Sequence, residues 1–133
     1  MKYFVLNGPS VSGKTVLLDY LLEGTDDFLE PLVSFTTRPP RKGEIEGEDY
    51  HYISSGDYLE LERSGRIVEQ IQYRDWHYGI STNELTRVEK TGKNGIAIMN
   101  LEGIRRFKQS VGYRKVISVF VYRDLSAIFK AID

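Results

Sequence analysis

The sequence predicts an α/β fold in which helices flank a parallel sheet and a mostly antiparallel subdomain is inserted. Three short apolar runs, each followed by residues at helical spacing, predict the strand–helix alternation that is typical of a parallel sheet. A turn-rich stretch of alternating apolar and polar residues, about 33–91, interrupts this pattern. We therefore expect a single domain over 1–133, with a core formed by 1–32 and 92–133.

The core elements follow from local patterns. The apolar run KYFVL is ended at once by Asn-Gly-Pro, as expected of a buried strand. From Lys14 to Glu23 leucines recur at helical spacing, and Gly24 is placed to cap that helix. After the insertion, GIAIM predicts a second buried strand, and Asn100 is placed to cap a helix that ends before Gly112. The run KVISVFVY predicts a third buried strand.

The insertion and the end of the chain carry further helix signals. The segment 57–63 predicts one short helix, and Ser81 with Glu84 matches the capping-box pattern at the start of another. A last amphipathic helix is predicted after the third core strand, and its apolar stripe is still running at Ile132. Because Asp133 follows without a cap, we expect the native protein, or its fold, to continue further.

The composition is that of an ordinary globular protein and excludes several kinds of site. With 133 residues, 41% hydrophobic and 28% charged, the chain suffices for one domain but not for two. It has no cysteine and only two histidines, which excludes disulfides, cysteine nucleophiles and metal centres built from these residues. A net charge of −1 gives no broad attraction to nucleic acid or anionic membrane. No signal peptide or membrane span is visible, so we expect a cytoplasmic protein.

The segment GPSVSGKT, residues 8–15, matches the phosphate-binding pattern G-x-x-x-x-G-K-[ST]. Gly8 and Gly13 let backbone N–H groups curl round phosphate oxygens, and the helix that follows points its positive end at the same anion. Lys14 is placed to reach the β- and γ-phosphates of a nucleotide, and the Thr15 hydroxyl is placed to bind Mg²⁺. The alternative is a tight turn with a solvated lysine, but the strand before it and the helix after it favour nucleotide binding.

A second phosphate site is suggested by SFTTRPPRKGE. Arg38 and Arg41 stand on either side of a Pro-Pro pair that stiffens the segment. Two fixed guanidinium groups suit a phosphate group. This stretch alone is equally consistent with a basic loop whose arginines pair with the neighbouring acidic residues and bind no phosphate.

Glu69 is placed unusually for a carboxylate. In the strand RIVEQIQY, residues 67, 69, 71 and 73 share one face, which reads Ile, Glu, Ile, Tyr. A carboxylate on this more apolar face needs a partner. Guanine offers two adjacent donors, N1–H and the exocyclic amino group, whereas adenine presents an acceptor at N1. A structural salt bridge to Arg66 or Arg74 is the alternative.

Four segments together resemble the guanylate kinase family: GPSVSGKT, VSFTTRPPRKGEIEGEDYHY, GRIVEQIQYRDWHYG and GIAIMNLEG. The resemblance extends to about Gly103 and implies phosphoryl transfer from ATP, with Mg²⁺, to GMP. It implies a parallel-sheet core of the P-loop NTPase type, and it implies that the insertion is a mobile GMP-binding subdomain. Catalysis of this kind rests on aligning two phosphates and neutralising charge, a task that falls here to Lys14, Arg38 and Arg41.

The resemblance also implies two sets of binding residues. The ATP site consists of Gly8, Pro9, Ser10, Val11, Ser12, Gly13, Lys14 and Thr15, with Thr15 as the metal ligand. The GMP site consists of Arg38, Arg41, Tyr50 and Tyr78 around the phosphate and of Ser34 and Glu69 around guanine.

Three features depart from the family pattern. Ile80 stands where the family has a hydroxyl residue after Tyr-Gly, with Ser81 next to it as a substitute reader of guanine. Ile98 and Asn100 stand where the family has two metal-organising aspartates, and Asn100 is equally suited to capping a helix. The family's arginine-bearing lid is expected to be absent, since it lies beyond residue 133; losing such an arginine can cost about 10³–10⁵ in rate.

Two other functions stay open. A guanylate-kinase-like binding module would hold GMP or a phosphorylated peptide in the same arginine–tyrosine site without turnover. Relatives of that type generally have a degraded P-loop, whereas this chain keeps Lys14 and Thr15. A kinase for another small phosphate ester is disfavoured because Ser34 and Glu69 are present. We expect ATP and GMP as the partners of the chain, with no nucleic acid and no membrane.

Overall fold

The computed structural model describes residues 1–9, 13–25 and 27–122. Ser10, Val11 and Ser12 of the glycine-rich loop lie outside the described residues, and so does the predicted last helix. The elements follow in the order β1 (Tyr3–Asn7), α1 (Lys14–Gly24), β2 (Leu29–Pro31), β3 (Phe35–Thr36), β4 (His51–Tyr52), α2 (Ser55–Arg63), β5 (Ile67–Tyr73), β6 (Trp76–Ser81), α3 (Thr82–Thr91), β7 (Asn94–Ile98), α4 (Leu101–Val111) and β8 (Val116–Phe120).

These elements belong to two compact units. One consists of Met1–Pro31 together with Gly92–Asp133, and the other is Leu32–Thr91. Within the described ranges, no helix is both long enough and apolar enough to cross a membrane.

A parallel sheet forms the first unit, with strand order β2-β7-β1-β8. The prediction of strands at KYFVL and GIAIM is confirmed, and β1 is central because it pairs with both β7 and β8. The predicted burial of the third strand is wrong. Ile117 and Phe120 of β8 are 40% and 62% exposed, since β8 pairs on one side only within the described residues.

Two helices belong to the same unit: α1 follows β1, and α4 connects β7 to β8. Helix α1 ends one residue later than predicted: Gly24 is its last helical residue, and Thr25 is the cap. The cap of α4 is confirmed: the Asn100 Oδ1 accepts the N–H of Gly103 at 2.7 Å. The fully buried Phe107 of α4 packs its ring 5.2 Å from that of Tyr3, which fixes α4 against the central strand.

The second unit contains a mixed sheet with order β4-β3-β6-β5. β6 is antiparallel to both β3 and β5, while β3 and β4 run parallel, so the insertion is mostly antiparallel as predicted. Helix α2 starts two residues earlier than predicted because Ser54 and Asp57 form a capping box. Phe35, Tyr58 and Leu61 form the buried apolar cluster of this unit.

Gly79 of β6 occupies a position without room for a side chain. A Cβ there would lie 2.4 Å from the carbonyl oxygen of Glu69 and 2.9 Å from the ring of Phe35. We expect Gly79→Ala to lower the free energy of unfolding by about 1–3 kcal/mol, the usual cost of overpacking, in urea titrations. The matched control is Gly56→Ala in α2, where a new Cβ meets its nearest atom at 3.7 Å. Equal stability of the two variants would contradict this account of β6.

Candidate functional site

The glycine-rich loop connects β1 to α1 in the first unit. Gly13 precedes the helix with a φ of 89°, in the left-handed region that glycine adopts most readily. No side chain of the described residues caps the start of α1, and its first turn carries no acidic residue. Lys14 Nζ donates to the carbonyl oxygens of Gly8 and, at 3.2 Å, of Pro9. The ammonium group therefore contacts the first two residues of the loop. The N–H groups at the start of a helix suit an anion.

A magnesium ion would find few protein ligands near this loop. Thr15 is exposed on the first turn of α1, and the described residues contain no cluster of three or more histidines and carboxylates fit to hold a metal. The oxygen of Asn100 is engaged in capping α4, and the half-buried Ile98 packs in the core. A hydroxyl outside any such cluster fits Mg²⁺ when nucleotide phosphates and water complete the coordination shell, which is how Mg²⁺ is commonly bound.

Arg38 is the central cation of the second unit. It is only 7% exposed, and its guanidinium forms two parallel hydrogen bonds with the Glu44 carboxylate, at 2.9 and 3.0 Å. The same carboxylate accepts the backbone N–H of Arg41 at 2.7 Å. Hydrogen bonding to Arg38 lowers the pKa of Glu44 to about 2 and raises the pKa of Arg38. The predicted pairing of the basic loop with acidic residues is thus present for Arg38, while Arg41 is exposed.

Aromatic rings surround this guanidinium. Arg38 lies 5.3 Å from the ring centre of Tyr50, and the Tyr50 ring lies 5.7 Å from that of Tyr78. The structure therefore brings together Arg38, Tyr50 and Tyr78, three of the four residues that the family resemblance implies around the phosphate. Among the described residues, the fourth, Arg41, reaches this cluster only through its backbone N–H to Glu44. Tyr52 also belongs to this cluster, since its ring lies 5.9 Å from that of Tyr50. Sequence reasoning missed Tyr52, although residues two apart in an extended segment share one face.

Glu69 lies in β5 beside a bulge. The predicted strand-face alternation is wrong here, because the register shifts between Ile67 and Glu69. Val68 is buried, Glu69 is half-buried, and Ile71 is 48% exposed. A bulge adds a residue to one strand and re-aims the side chains that follow it. Glu69 is therefore half-buried beside the bulge and does not lie on a continuous apolar face.

The other candidate guanine contacts lie at the ends of neighbouring strands. Ser34 is half-buried just before β3, where its carbonyl oxygen accepts the N–H of His51 at 2.9 Å. Ile80 is only 2% exposed, so its side chain belongs to the core. The Ser81 Oγ accepts the N–H of Glu84 at 3.3 Å and so caps α3. Its hydroxyl hydrogen stays available as a donor.

Glu84 has a structural role that the capping-box pattern did not predict. Its buried carboxylate accepts the N–H of Val33 at 2.6 Å, meets the His51 Nε2 at 2.8 Å and accepts two bonds from Arg87, at 3.0 and 2.8 Å. Only the Ser81 half of the predicted box is formed by these bonds. Glu84 thereby ties α3 to β4, the strand that directly follows Tyr50.

This network makes the stability of the unit depend on pH. Burial alone would raise the pKa of Glu84, but hydrogen bonds from Arg87, Val33 and His51 outweigh it and lower the pKa. A lowered folded-state pKa gives stability above the unfolded-state value, about 4.3, and that stability is lost as pH falls through the folded-state pKa.

We expect Glu84→Gln to lower the free energy of unfolding at pH 7 by about 1–3 kcal/mol, because buried donors lose a charged acceptor. The deficit should shrink between pH 5 and pH 3, in denaturant titrations at each pH. Glu48→Gln, at an exposed position, is the control and should leave the curve unchanged. A deficit that stays constant with pH would contradict the assigned ionisation of Glu84.

Comparison with known proteins adds three findings. A family model described as guanylate kinase matches residues 1–130. The guanylate kinase of Chlamydia felis is 32% identical over 120 residues, which cover 90% of this chain and 57% of that protein. The guanylate kinase of Nostoc sp. is also 32% identical, over 90% of this chain and 59% of that protein.

A solved structure is similar as well. The crystal structure of guanylate kinase from Anaplasma phagocytophilum matches with a TM-score of 0.63 and 27% identity, covering 90% of this chain and 58% of that one. The chain thus spans less than two thirds of the length of these relatives.

Proposed function

Because the chain belongs to the guanylate kinase family, we propose that the protein containing it transfers the γ-phosphoryl group of ATP to GMP. The observation that carries this proposal is the cluster of Arg38, Tyr50 and Tyr78, a cation and two phenols gathered in the unit that the family places around GMP. A P-loop with Lys14 at the start of α1 supplies the donor side. The cytoplasmic setting stays a prediction.

On the donor side, Lys14 and the start of α1 hold the β- and γ-phosphates of ATP. The Lys14 ammonium exchanges the carbonyl oxygens of Gly8 and Pro9 for phosphate oxygens, which are better acceptors for a cation. Thr15 would hold Mg²⁺ through its hydroxyl, and the ion, when bound, neutralises charge on the phosphates.

On the acceptor side, the arginine–tyrosine cluster holds the GMP phosphate. Tyr50 and Tyr78 offer hydroxyl donors, and the exposed Arg41 adds a second cation. Arg38 is held in place by the Glu44 carboxylate and by the Pro39 carbonyl oxygen, so it presents only the N–H groups that these two acceptors leave unused. Glu69 accepts the two adjacent donors of guanine, with Ser34 and Ser81 as hydroxyl contacts.

The reaction itself asks little of these side chains as acids or bases. An oxygen of the GMP phosphate bonds to the γ-phosphorus, and the bond from that phosphorus to the bridging oxygen breaks, leaving its electron pair on ADP. Catalysis comes from holding the two phosphates in line and neutralising charge on the transferring group. In this proposal Lys14, Arg38 and Arg41 supply that positive charge.

A second candidate function is a binding module without turnover. One observation favours it: Ile98 packs in the core and Asn100 caps α4, so neither supplies the negative charge of a metal-organising carboxylate. Such a module would hold GMP or a phosphorylated peptide at the arginine–tyrosine cluster.

The two functions differ in the products formed from ATP, Mg²⁺ and GMP. Chromatographic separation of the nucleotides should reveal GDP and ADP in equal amounts if the chain is a kinase. GMP that binds in calorimetry without any GDP appearing would favour the binding module for this chain. The same assay on a longer protein that contains the chain then decides whether turnover needs the remainder of the family's length.

A further inference from the structure

We propose that His51 is a positioning residue, which fixes the spacing between the guanine end and the phosphate end of the acceptor site. His51 is the first residue of β4, and each nitrogen of its ring faces a carboxylate. The Nδ1 atom lies 3.2 Å from Glu46, and the Nε2 atom lies 2.8 Å from Glu84. The imidazole therefore links two segments of the unit. This role rests on the proposed function, since it needs a ligand that reaches both ends of the site.

One side of this link leads to Ser34, the proposed guanine contact. The backbone N–H of His51 donates to the carbonyl oxygen of Ser34 at 2.9 Å. The Glu84 carboxylate, which meets the His51 ring, also accepts the N–H of Val33 at 2.6 Å. Glu84 is only 3% exposed, so this side of the link is buried. The segment that carries Ser34 is thus held to His51 at two successive residues.

The other side of the link leads to Tyr50 and the arginine–tyrosine cluster. Glu46 faces the His51 ring through its Oε2 and accepts the backbone N–H of Tyr52 through its Oε1, at 2.8 Å. Glu46 also forms a backbone bridge with Tyr50, and the Gly47 N–H donates to the carbonyl oxygen of Tyr50 at 2.8 Å. The backbone that presents the Tyr50 ring is therefore tied to His51 through Glu46.

A fixed spacing matters for a ligand that binds at both ends of the site. GMP carries its base and its phosphate on one ribose, so binding of the second group is intramolecular once the first is bound. A site that is already held at the matching distance avoids the cost of ordering its contacts on binding. Guanosine and ribose 5-phosphate each lack one of the two groups and gain nothing from this spacing. The His51 link should therefore favour GMP over either part of GMP.

The test replaces His51 by glutamine, which separates the link from the stability of the unit. A glutamine amide still donates to the buried Glu84, but it leaves Glu46 without its ring partner. We expect the Kd for GMP to rise about three- to tenfold, as for loss of one hydrogen bond, in titration calorimetry. The Kd values for guanosine and for ribose 5-phosphate should stay within about twofold. The melting temperature without ligand should stay close to that of the unmodified chain.

Glu46→Ala is the second variant, because it removes the other partner of the same contact at a side chain that is 61% exposed. Its loss of affinity should also be confined to GMP. The double variant should bind GMP as Glu46→Ala does, since two changes that act through one contact are not additive. Glu48→Ala, at an exposed position of the same acidic run, is the control and should change none of these values.

Each other outcome has a distinct meaning. Unchanged GMP affinity in both variants would overturn this inference and leave the proposed function intact. An equal loss for GMP and for one of its parts would place the damage at one end of the site, and additive losses in the double variant would show that His51 and Glu46 act separately; either result would overturn the link. Failure of the unmodified chain to bind GMP at all would overturn the proposed acceptor and this role with it.

Discussion

Replacing Lys14 by alanine is expected to lower the rate of phosphoryl transfer about 10²–10³-fold and to leave the affinity for GMP nearly unchanged. The Lys14 ammonium contacts the loop between β1 and α1, in the unit that the proposal assigns to ATP. Removing a preorganised donor to developing negative charge costs about 10²–10³ in rate, and the affinity for ATP should fall as well. The measurement pairs GDP formation with separate titrations of ATP and GMP.

Lys115→Ala is the matched control for this prediction, because Lys115 is an exposed lysine of the same unit. It should alter neither transfer nor binding. A large loss of GMP affinity in Lys14→Ala would contradict the assignment of donor and acceptor to different units of the chain.

Replacing Glu69 by glutamine is expected to weaken GMP binding about 10–100-fold without weakening ATP binding. The carboxylate accepts two donors of guanine in the proposal, and a glutamine amide offers one acceptor and a mismatched N–H group. The expected loss of GMP affinity is large because the glutamine amide leaves a donor of guanine unpaired in the complex. Calorimetric titrations of GMP, AMP and ATP give the comparison.

Glu69 also interacts within the chain, so its structural contribution has to be measured separately. The free energy of unfolding of Glu69→Gln, compared with that of the unmodified chain, supplies this control. Equal losses of GMP and ATP affinity, together with a loss of stability, would assign Glu69 to a structural contact.

Local sequence patterns predicted the parts of the fold that depend on neighbours in the chain. Asn100 was recognisable as a helix cap, and Gly13 as the residue at a loop-to-helix junction, because each pattern lies within a few residues. The exposure of Phe120 was not predictable in this way. It depends on which elements, distant in the sequence, pack against β8, and this is a long-range property.

The candidate site also has parts that the sequence predicted and parts that it did not. The sequence brought Arg38, Tyr50 and Tyr78 into one hypothesis through the family resemblance, and the structure gathers them. The bulge beside Glu69 was not predictable, since an extra residue in one strand is set by the pairing of β5 with β6.

GMP is the acceptor that we propose for this family member. The most direct measurement is the rate of ADP formation from ATP and Mg²⁺ with GMP, dGMP, AMP or UMP as acceptor, by this chain and by a longer protein that contains it. We expect rapid transfer to GMP, with little transfer to AMP or UMP. Comparable rates with AMP, or transfer to UMP alone, would contradict the assignment of Glu69 and of the arginine–tyrosine cluster to a guanine nucleotide.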